Sequence, residues 1–549
     1  MNSRKNDTVV VRKWIFHAIF LIISFLLFAY VIWRAAFLSF TYDECWSYSL
    51  ITGNFKEMFK TTNNHLLNSF GMWLFSGLFG NHEFVLRIPS LIGFIFYLFY
   101  SYKLSKSACN QTLSLGIFIL FNFNPYMLDF FSLARGYGMA LGFLMASLYY
   151  TIVPKAGYNK KFRNYSIIFA ALSILSNLIF LHYLVALLIL IIFEDLSSKK
   201  ISASKFPDWV KDNLIILIIC TTLTVILYPV IITIFRFKGF DAGGSVGFWE
   251  DTVKSLIDFS YYFQKYPDWI SLFLKGFLIL IFLTGGILSF LHVFFHKRFD
   301  ILVISFVLLA ISVLSPIIQH WLIGSLFPSE RTALFYLPIF ISLFLAVLNK
   351  ISSTTIRFKI TSYIPIVLCF PIIYHCGKCA NLHYTRNWKF DADTKFIIEK
   401  LNDTHKEILG TLNVGIDWTV EPSTKYYKLK YGYDGILFHP INIPWINENE
   451  RNSEKNKYYE ALYMNSIPSD IRGVKNFKLI ENFPCSELTL FENDSNKHVS
   501  YIEKIKYMRN NILNNPVWLE KVRKKATDRN ISLDSMIYLD AKYMIESGK

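Results

Sequence analysis

Charged side chains are scarce in this chain: Asp, Glu, Lys and Arg make up 17% of its 549 residues, against 53% hydrophobic residues. That balance excludes an ordinary soluble globular protein, in which about a quarter of residues carry charge. Cysteine is sparse too, with seven in all. The number is odd, and Cys109, Cys220 and Cys369 lie in or beside apolar blocks, so no disulfide framework follows. The region after residue 376 shows no glycine-rich phosphate loop. Internal repeats are also missing, which argues against transporter folds built from duplicated halves. The first apolar block has no small-residue cleavage site and reads as a retained anchor, not a signal peptide.

The apolar residues that dominate the chain are gathered into blocks near 14–36, 85–103, 112–127, 131–153, 165–180, 182–194, 213–235, 269–294, 300–322, 332–349 and 359–376. Their lengths match helices crossing about 30 Å of hydrocarbon, and about eleven crossings are expected. Only helices satisfy their own backbone in lipid at such lengths, so the body is an all-α polytopic membrane protein. The stretch 165–194 fits one long helix or two short ones, and basic residues decide between them. Clusters occur at Arg4, Lys5, Arg12 and Lys13; at Lys103 and Lys106; at Lys155, Lys160, Lys161 and Arg163; at Lys199, Lys200, Lys205 and Lys211; at Lys297 and Arg298; and at Lys350, Arg357 and Lys359. With the stretch split, every cluster falls on one side, the cytoplasmic one. The N-terminus is then cytoplasmic and everything after residue 376 is extracytoplasmic, in a multi-pass protein of the inner (plasma) membrane. The net charge of +16 is largely accounted for by these loops and the C-terminal tail, and nucleic acid is not needed to explain it.

Three regions are expected: a membrane domain at 1–376, a small soluble α/β domain at 377–497, and a charged helical tail at 498–549. In the second, Thr394–Leu401 reads as an amphipathic helix, Ile408–Ile416 as a strand, Pro422–Lys430 as a helix, and Phe477–Ile480 with Glu487–Phe491 as a closing hairpin. In the tail, Asn515-Pro516 reads as a cap followed by proline at the first helical position, and Ser532 as the cap of a final helix. A helical hairpin is expected there. The two long loops, 37–84 and 236–268, both fall outside, where loops of that length carry function.

The first of these begins Phe40-Thr41-Tyr42-Asp43-Glu44-Cys45-Trp46 where the chain leaves the membrane. Two adjacent acids at that depth fit either a helix start, with Thr41 or Asp43 as cap and Glu44 favoured by the dipole, or a chemical site. Neighbours on a helix point about 100° apart, so one acid acts and the other supports. The loop continues through Asn63-Asn64-His65-Leu66-Leu67-Asn68 to Gly80-Asn81-His82-Glu83-Phe84-Val85-Leu86-Arg87-Ile88-Pro89-Ser90. Further on come Asp129-Phe130-Phe131-Ser132-Leu133-Ala134-Arg135-Gly136-Tyr137, then His182-Tyr183, then Pro328-Ser329-Glu330-Arg331.

In order and position these elements resemble the GT-C membrane glycosyltransferases, and among them the glycosyltransferase family 39-like enzymes that use dolichyl- or undecaprenyl-phosphate sugars. Protein O-mannosyltransferases and the aminoarabinose transferase of lipid A are the nearest in pattern. The resemblance covers roughly residues 10–376. It implies an inverting transfer of a sugar from a polyprenyl phosphate to an extracytoplasmic protein, lipid or glycan, with Asp43 as general base and Glu44 in support. It also implies that Asn64, His65, Arg135, Tyr137, His182, Tyr183, Glu330 and Arg331 bind donor or acceptor. The family's prolines after the histidine are Leu66 and Leu67 here, so the sugar or acceptor pocket differs.

Such a reaction needs a base for the acceptor's proton and cations for the departing phosphate, both at headgroup level. Asp43 stands where the base is wanted. Arg135, near the outer end of a span, fits a phosphate fork or an arginine snorkelling to the interface; Arg331 and Arg87 have the same two readings. His65 fits a sugar contact or a plain loop histidine, and His182 and Tyr183 fit hydrogen bonding inside the bundle. Some members of the family bind a divalent metal near the acidic pair, but Asp43, Glu44 and His65 are too few to define a site, so no cofactor follows from the sequence. His375-Cys376-Gly377-Lys378-Cys379 has a zinc or redox spacing without a second half. Two other functions compete. A flippase for lipid-linked saccharides would need ionisable groups along a mid-depth path, and the spans are nearly free of them; a receptor or assembly factor would leave the first-loop motifs unexplained.

Overall fold

The computed structural model describes residues 2–53, 65–153, 160–198, 201, 206–237, 243–296, 299–354, 361, 363–406, 411–444, 459–467, 471, 474–493 and 501–546. Asn63, Asn64, Lys155, Lys199, Lys200, Lys205, Lys297, Arg298, Arg357, Lys359 and the start of the strand expected at Ile408 lie outside the described residues. The chain divides into two compact units, one of Met1–Phe37 with Ser47–Leu382, the other of Leu38–Trp46 with His383–Lys549.

The first unit is helical. In chain order its helices are α1 (Asn2–Phe37), α2 (Tyr42–Thr52, whose first turn belongs to the second unit), α3 (Leu66–Phe79), α4 (Glu83–Ser105), α5 (Gln111–Asn122), α6 (Pro125–Phe131), α7 (Gly136–Ile152), α8 (Lys160–Ser176), α9 (Leu181–Ser197), α10 (Phe206–Asp212) and α11 (Leu214–Phe237). Then follow α12 (Ser255–Ser260), α13 (Asp268–His296), α14 (Ile301–Ile323), α15 (Tyr336–Thr354) and α16 (Ile364–Cys379). Each expected apolar block falls on a helix, but fewer of them qualify as spans than the sequence implies. Among the described residues seven helices are long and apolar enough to cross a membrane, or eight if the bent pair α5–α6 counts as one. The shortfall lies in helices of 16 and 17 residues, α7, α8 and α16, which rise only about 25 Å. The chain is an integral membrane protein of several spans, with a small sheet domain after them.

Two breaks have local causes. α5 and α6 meet at 65° because Asn124 caps the second helix, its side chain accepting from the Met127 N–H at 2.9 Å, and Pro125 takes the first helical position. The stretch 165–194 divides at Asn177, whose side chain accepts from the Ile179 N–H at 3.2 Å and starts a short 3-10 turn before α9. Glycines let α4 and α7 cross at backbone contact. A Cβ on Gly142 would lie 2.1 Å from the Gly93 carbonyl oxygen, and one on Gly93 would lie 2.6 Å from that of Gly138. The loop expected at 37–84 is not all loop, since it contains α2 and the apolar α3.

The second unit is built on α17 (Thr394–Lys406), β1 (Leu412–Asp417), α18 (Glu421–Tyr431), β2 (Ile436–Ile441), β3 (Ala461–Met464), β4 (Phe477–Phe483) and β5 (Leu488–Asn493). The sheet order is β2-β1-β3-β5-β4. β1 runs parallel to β2 and β3, the first pairing made possible by the α18 crossover, and β4 and β5 form the antiparallel hairpin expected at the end. Ile397, Leu401, Val414, Ile416, Ile436, Tyr463 and Leu490 close its core. The tail contains three helices, Tyr501–Asn514, Pro516–Asp528 and Leu533–Glu546, packed through Ile505, Ile512, Val522, Met536 and Ile537. The expected hairpin is therefore the second half of a three-helix cluster, capped at Asn515 and at Ser532 as its residues imply.

Candidate functional site

Among the described residues the candidates form two groups, one in each unit, with His182 and Tyr183 apart from both. In the first unit the group centres on Arg135, fully buried at the N-cap of α7. Its Nη1 donates to Ser47 Oγ at 3.0 Å, and its own carbonyl accepts from Ser90 Oγ at 3.1 Å. Asn68, on α3, donates through Nδ2 to the Ala134 carbonyl at 3.1 Å. Three motif segments far apart in sequence, around residues 65–68, 89–90 and 134–137, thus meet at one turn. Gly136 is required there: a Cβ would lie 1.8 Å from the Ser176 carbonyl oxygen and 2.6 Å from His65 Cβ.

His65, just before α3, packs its ring edge-to-face against Tyr137 at 5.4 Å between centroids. Neither ring nitrogen has a hydrogen bond of good geometry. Burial pushes its pKa well below the ordinary 6.5, the charges of Arg135 and Arg331 act in the same sense, and only the nearby Ser176 carbonyl opposes them. Arg331 and Glu330 lie half-buried in the 3-10 turn Glu330–Ala333, where Glu330 has φ 48° and its N–H donates to Ser255 Oγ at 2.9 Å. His182 and Tyr183 are not part of this group. His182 Nδ1 bonds Ser315 Oγ on α14 at 2.8 Å, and the Tyr183 hydroxyl bonds Ser147 Oγ on α7 at 2.9 Å.

A second buried network in this unit involves residues that the sequence did not single out as a site. Arg34 Nη2 pairs with Asp129 Oδ1 at 2.6 Å, Arg34 Nη1 donates to the Tyr30 hydroxyl at 2.9 Å, and the Tyr262 hydroxyl donates to Asp129 Oδ1 at 2.9 Å. These bonds tie α1, α6 and the segment after α12 together. A buried acid in an apolar stretch was the available signal for it.

In the second unit, Thr41 is the N-cap of α2, its carbonyl accepting from the Cys45 N–H at 2.9 Å. Glu44 Oε2 accepts from the Thr41 N–H at 2.9 Å and from Thr41 Oγ1 at 3.1 Å, as in a capping box. Asp43, almost fully buried, occupies the position between Tyr42 and Glu44 in this first turn. Sequence reasoning missed the third acid, Asp391. It is buried in a 3-10 turn, with Oδ2 accepting from the Tyr42 N–H at 2.6 Å and Oδ1 sharing a hydrogen bond with Ser423 Oγ at 2.7 Å. Nothing in its own surroundings of Trp388-Lys389-Phe390 marks it as different from a surface acid.

Among the described residues no group of three or more His, Cys, Asp or Glu side chains could hold a metal ion. All seven cysteines are free thiols. In the Cys-x-x-Cys segment, His375 Nε2 bonds the Ser260 carbonyl at 2.8 Å and Nδ1 faces the Tyr266 hydroxyl at 2.6 Å. The neutral ring donates from the first nitrogen and accepts at the second, which is a structural use of the histidine.

No protein-family model matches the chain, and no curated protein matches it. Two solved structures of ArnT from Cupriavidus metallidurans are similar to it. The apo form is 10% identical with a TM-score of 0.47, covering 88% of this chain and 99% of its own. The form bound to undecaprenyl phosphate is 11% identical with a TM-score of 0.49, covering 87% of this chain and 98% of its own.

Proposed function

We propose that this protein is an inverting glycosyltransferase of the GT-C type, moving a sugar from a polyprenyl phosphate to an acceptor on the extracytoplasmic face of the inner membrane. The observation that supports it most is the convergence of the 65–68, 89–90 and 134–137 segments on the buried Arg135. A guanidinium at the start of a helix, beside backbone N–H groups, suits a phosphate. In the reaction, an acceptor hydroxyl or amine attacks the anomeric carbon from the face opposite the phosphate. The bond from that carbon to the phosphate oxygen breaks and its electron pair leaves with the polyprenyl phosphate. The acceptor's proton passes to the Asp43 carboxylate, and Glu44, turned to the backbone of Thr41, holds the turn that carries Asp43. His65, kept neutral, offers the sugar one donor and one acceptor without a competing charge.

Mass spectrometry of extracytoplasmic glycoconjugates from cells with and without the protein identifies the product: a sugar present only with the protein supports the reading. Asp43→Asn keeps the shape of the side chain but takes no proton, so turnover should fall by roughly 10²–10⁴ while the protein accumulates as before. A purified Asp43→Asn protein that transfers sugar at the parent rate would remove the base from this position.

A further inference from the structure

Three successive backbone N–H groups at the start of α2 end on side chains. That of Phe40 donates to the Tyr427 hydroxyl at 2.7 Å, that of Thr41 to Glu44 Oε2 at 2.9 Å, and that of Tyr42 to Asp391 Oδ2 at 2.6 Å. Just before them, Ser39 Oγ donates to the Ala392 carbonyl at 2.7 Å, and the Phe40 ring packs on Tyr426 at 4.4 Å. A helix start ordinarily leaves its first N–H groups to water or to one capping side chain. Here the chain reaches Asp43 with each preceding amide fixed, and the last bond before Asp43 is the one to Asp391.

We propose that Asp391 is a positioning residue for Asp43, a cap supplied from the sheet domain that fixes the backbone delivering the base. The inference rests on the reading of Asp43 as base. Its chemistry follows from proton counting at Ser423. The Ser423 hydroxyl has one proton and two neighbours, Asp391 Oδ1 at 2.7 Å and the Val420 carbonyl at 2.9 Å. With Asp391 neutral, its own proton goes to Ser423 Oγ, the serine proton goes to Val420, and Oδ2 still accepts from Tyr42, so every group is satisfied. Burial pushes the Asp391 pKa well above 3.8, and the charges of Glu44 and Asp43 add to that, against the Ser423 and Tyr42 bonds. A neutral Asp391 holds the turn without adding a third negative charge beside the two acids.

Asparagine has the shape of that neutral acid, its carbonyl accepting from Tyr42 and its amide donating to Ser423. The full-length protein in detergent serves for the test. Hydrogen exchange reports the amides of residues 40–46, and turnover is read as undecaprenyl phosphate released from undecaprenyl-phosphate-linked hexoses and pentoses, with an extract of the cells' extracytoplasmic lipids, glycans and proteins supplying the acceptor. Asp391→Ala should speed exchange across 41–46 and lower kcat by roughly 10- to 100-fold, the scale of a misplaced catalytic group, with KM for the donor lipid within about twofold; Asp391→Asn should restore both. Should Asp391→Ala not accumulate, Ser423→Ala makes the same test, with a loss in kcat of roughly 3- to 10-fold and faster exchange at Tyr42. Unchanged exchange in the alanine variant, or an asparagine variant as impaired as alanine, overturns the proposal. An enzyme that needs Asp43 but is indifferent to Asp391 overturns it alone. One indifferent to Asp43 overturns the base assignment and this inference together.

Discussion

Burial strips His65 of the water that would solvate a protonated ring, and Arg135 and Arg331 repel a further positive charge, so the folded protein keeps this histidine neutral well below pH 6.5. The unfolded chain protonates near that value. As pH falls from 6.5 toward the depressed folded value the unfolded state therefore takes up a proton that the folded state refuses, and stability declines. The expected outcome is a Tm that falls between pH 7.5 and 5 in the parent protein and falls less steeply in His65→Gln; equal slopes would mean that His65 does not stay neutral. The segment around His65 stood out in the sequence because a polar Asn-Asn-His-Leu-Leu-Asn run precedes an apolar stretch. The segments it meets stood out too, but not their pairing: Ser90 and Asn68 bond backbone carbonyls of the Ala134-Arg135 turn, and a backbone carbonyl carries no residue-specific mark. Asp391 was invisible for the same reason, since its main partner is the amide of Tyr42.

At the scale of elements, close helix crossings make the sharpest claims. Gly142 cannot gain a methyl group without meeting the Gly93 carbonyl at 2.1 Å, whereas Gly276, on α13, has nothing within 4 Å of that position. Gly142→Ala should therefore cost about 1–3 kcal/mol by overpacking. Gly276→Ala should be neutral or gain up to about 1 kcal/mol, since glycine weakens a helix interior. Unfolding of both variants in detergent checks the contrast, and equal effects would contradict the crossing. The helices themselves were readable because apolar runs and their polar breaks survive as local chemistry, as at Asn124-Pro125 and Asn177. β2 and β3 were not, because Ile436–Ile441 includes His439 and Pro440, and β3 is four residues long. Their place in the sheet comes from pairing with β1, a long-range fact.

For the molecule as a whole, the basic clusters fall on one side when eleven crossings are counted, whereas among the described residues seven or eight helices are long and apolar enough to span, so the cytoplasmic N-terminus is a proposal to be tested. Leu429, exposed on α18, makes a reporter for the other side: Leu429→Cys in a Cys109→Ser, Cys485→Ser background, which removes the exposed and the half-buried free thiols outside the spans, should react with an impermeant thiol reagent in intact spheroplasts. Labelling only after lysis would place the sheet domain in the cytoplasm and with it the proposed chemistry.

The membership of Leu38–Trp46 in the second unit has a consequence for how the protein is made. The acids at 43 and 44 leave the ribosome early, but the side chains of Asp391, Ser423 and Tyr427 that fasten their segment follow more than three hundred residues later. At about 5–20 residues per second, synthesis of that stretch takes roughly 20–70 s. During this interval a growing chain can have its helices in the lipid while the acidic turn still lacks its fastening. On the proposed reading of Asp43 as base, competence would come last, when the C-terminal sheet has closed, and a prematurely terminated chain would be inserted but inert.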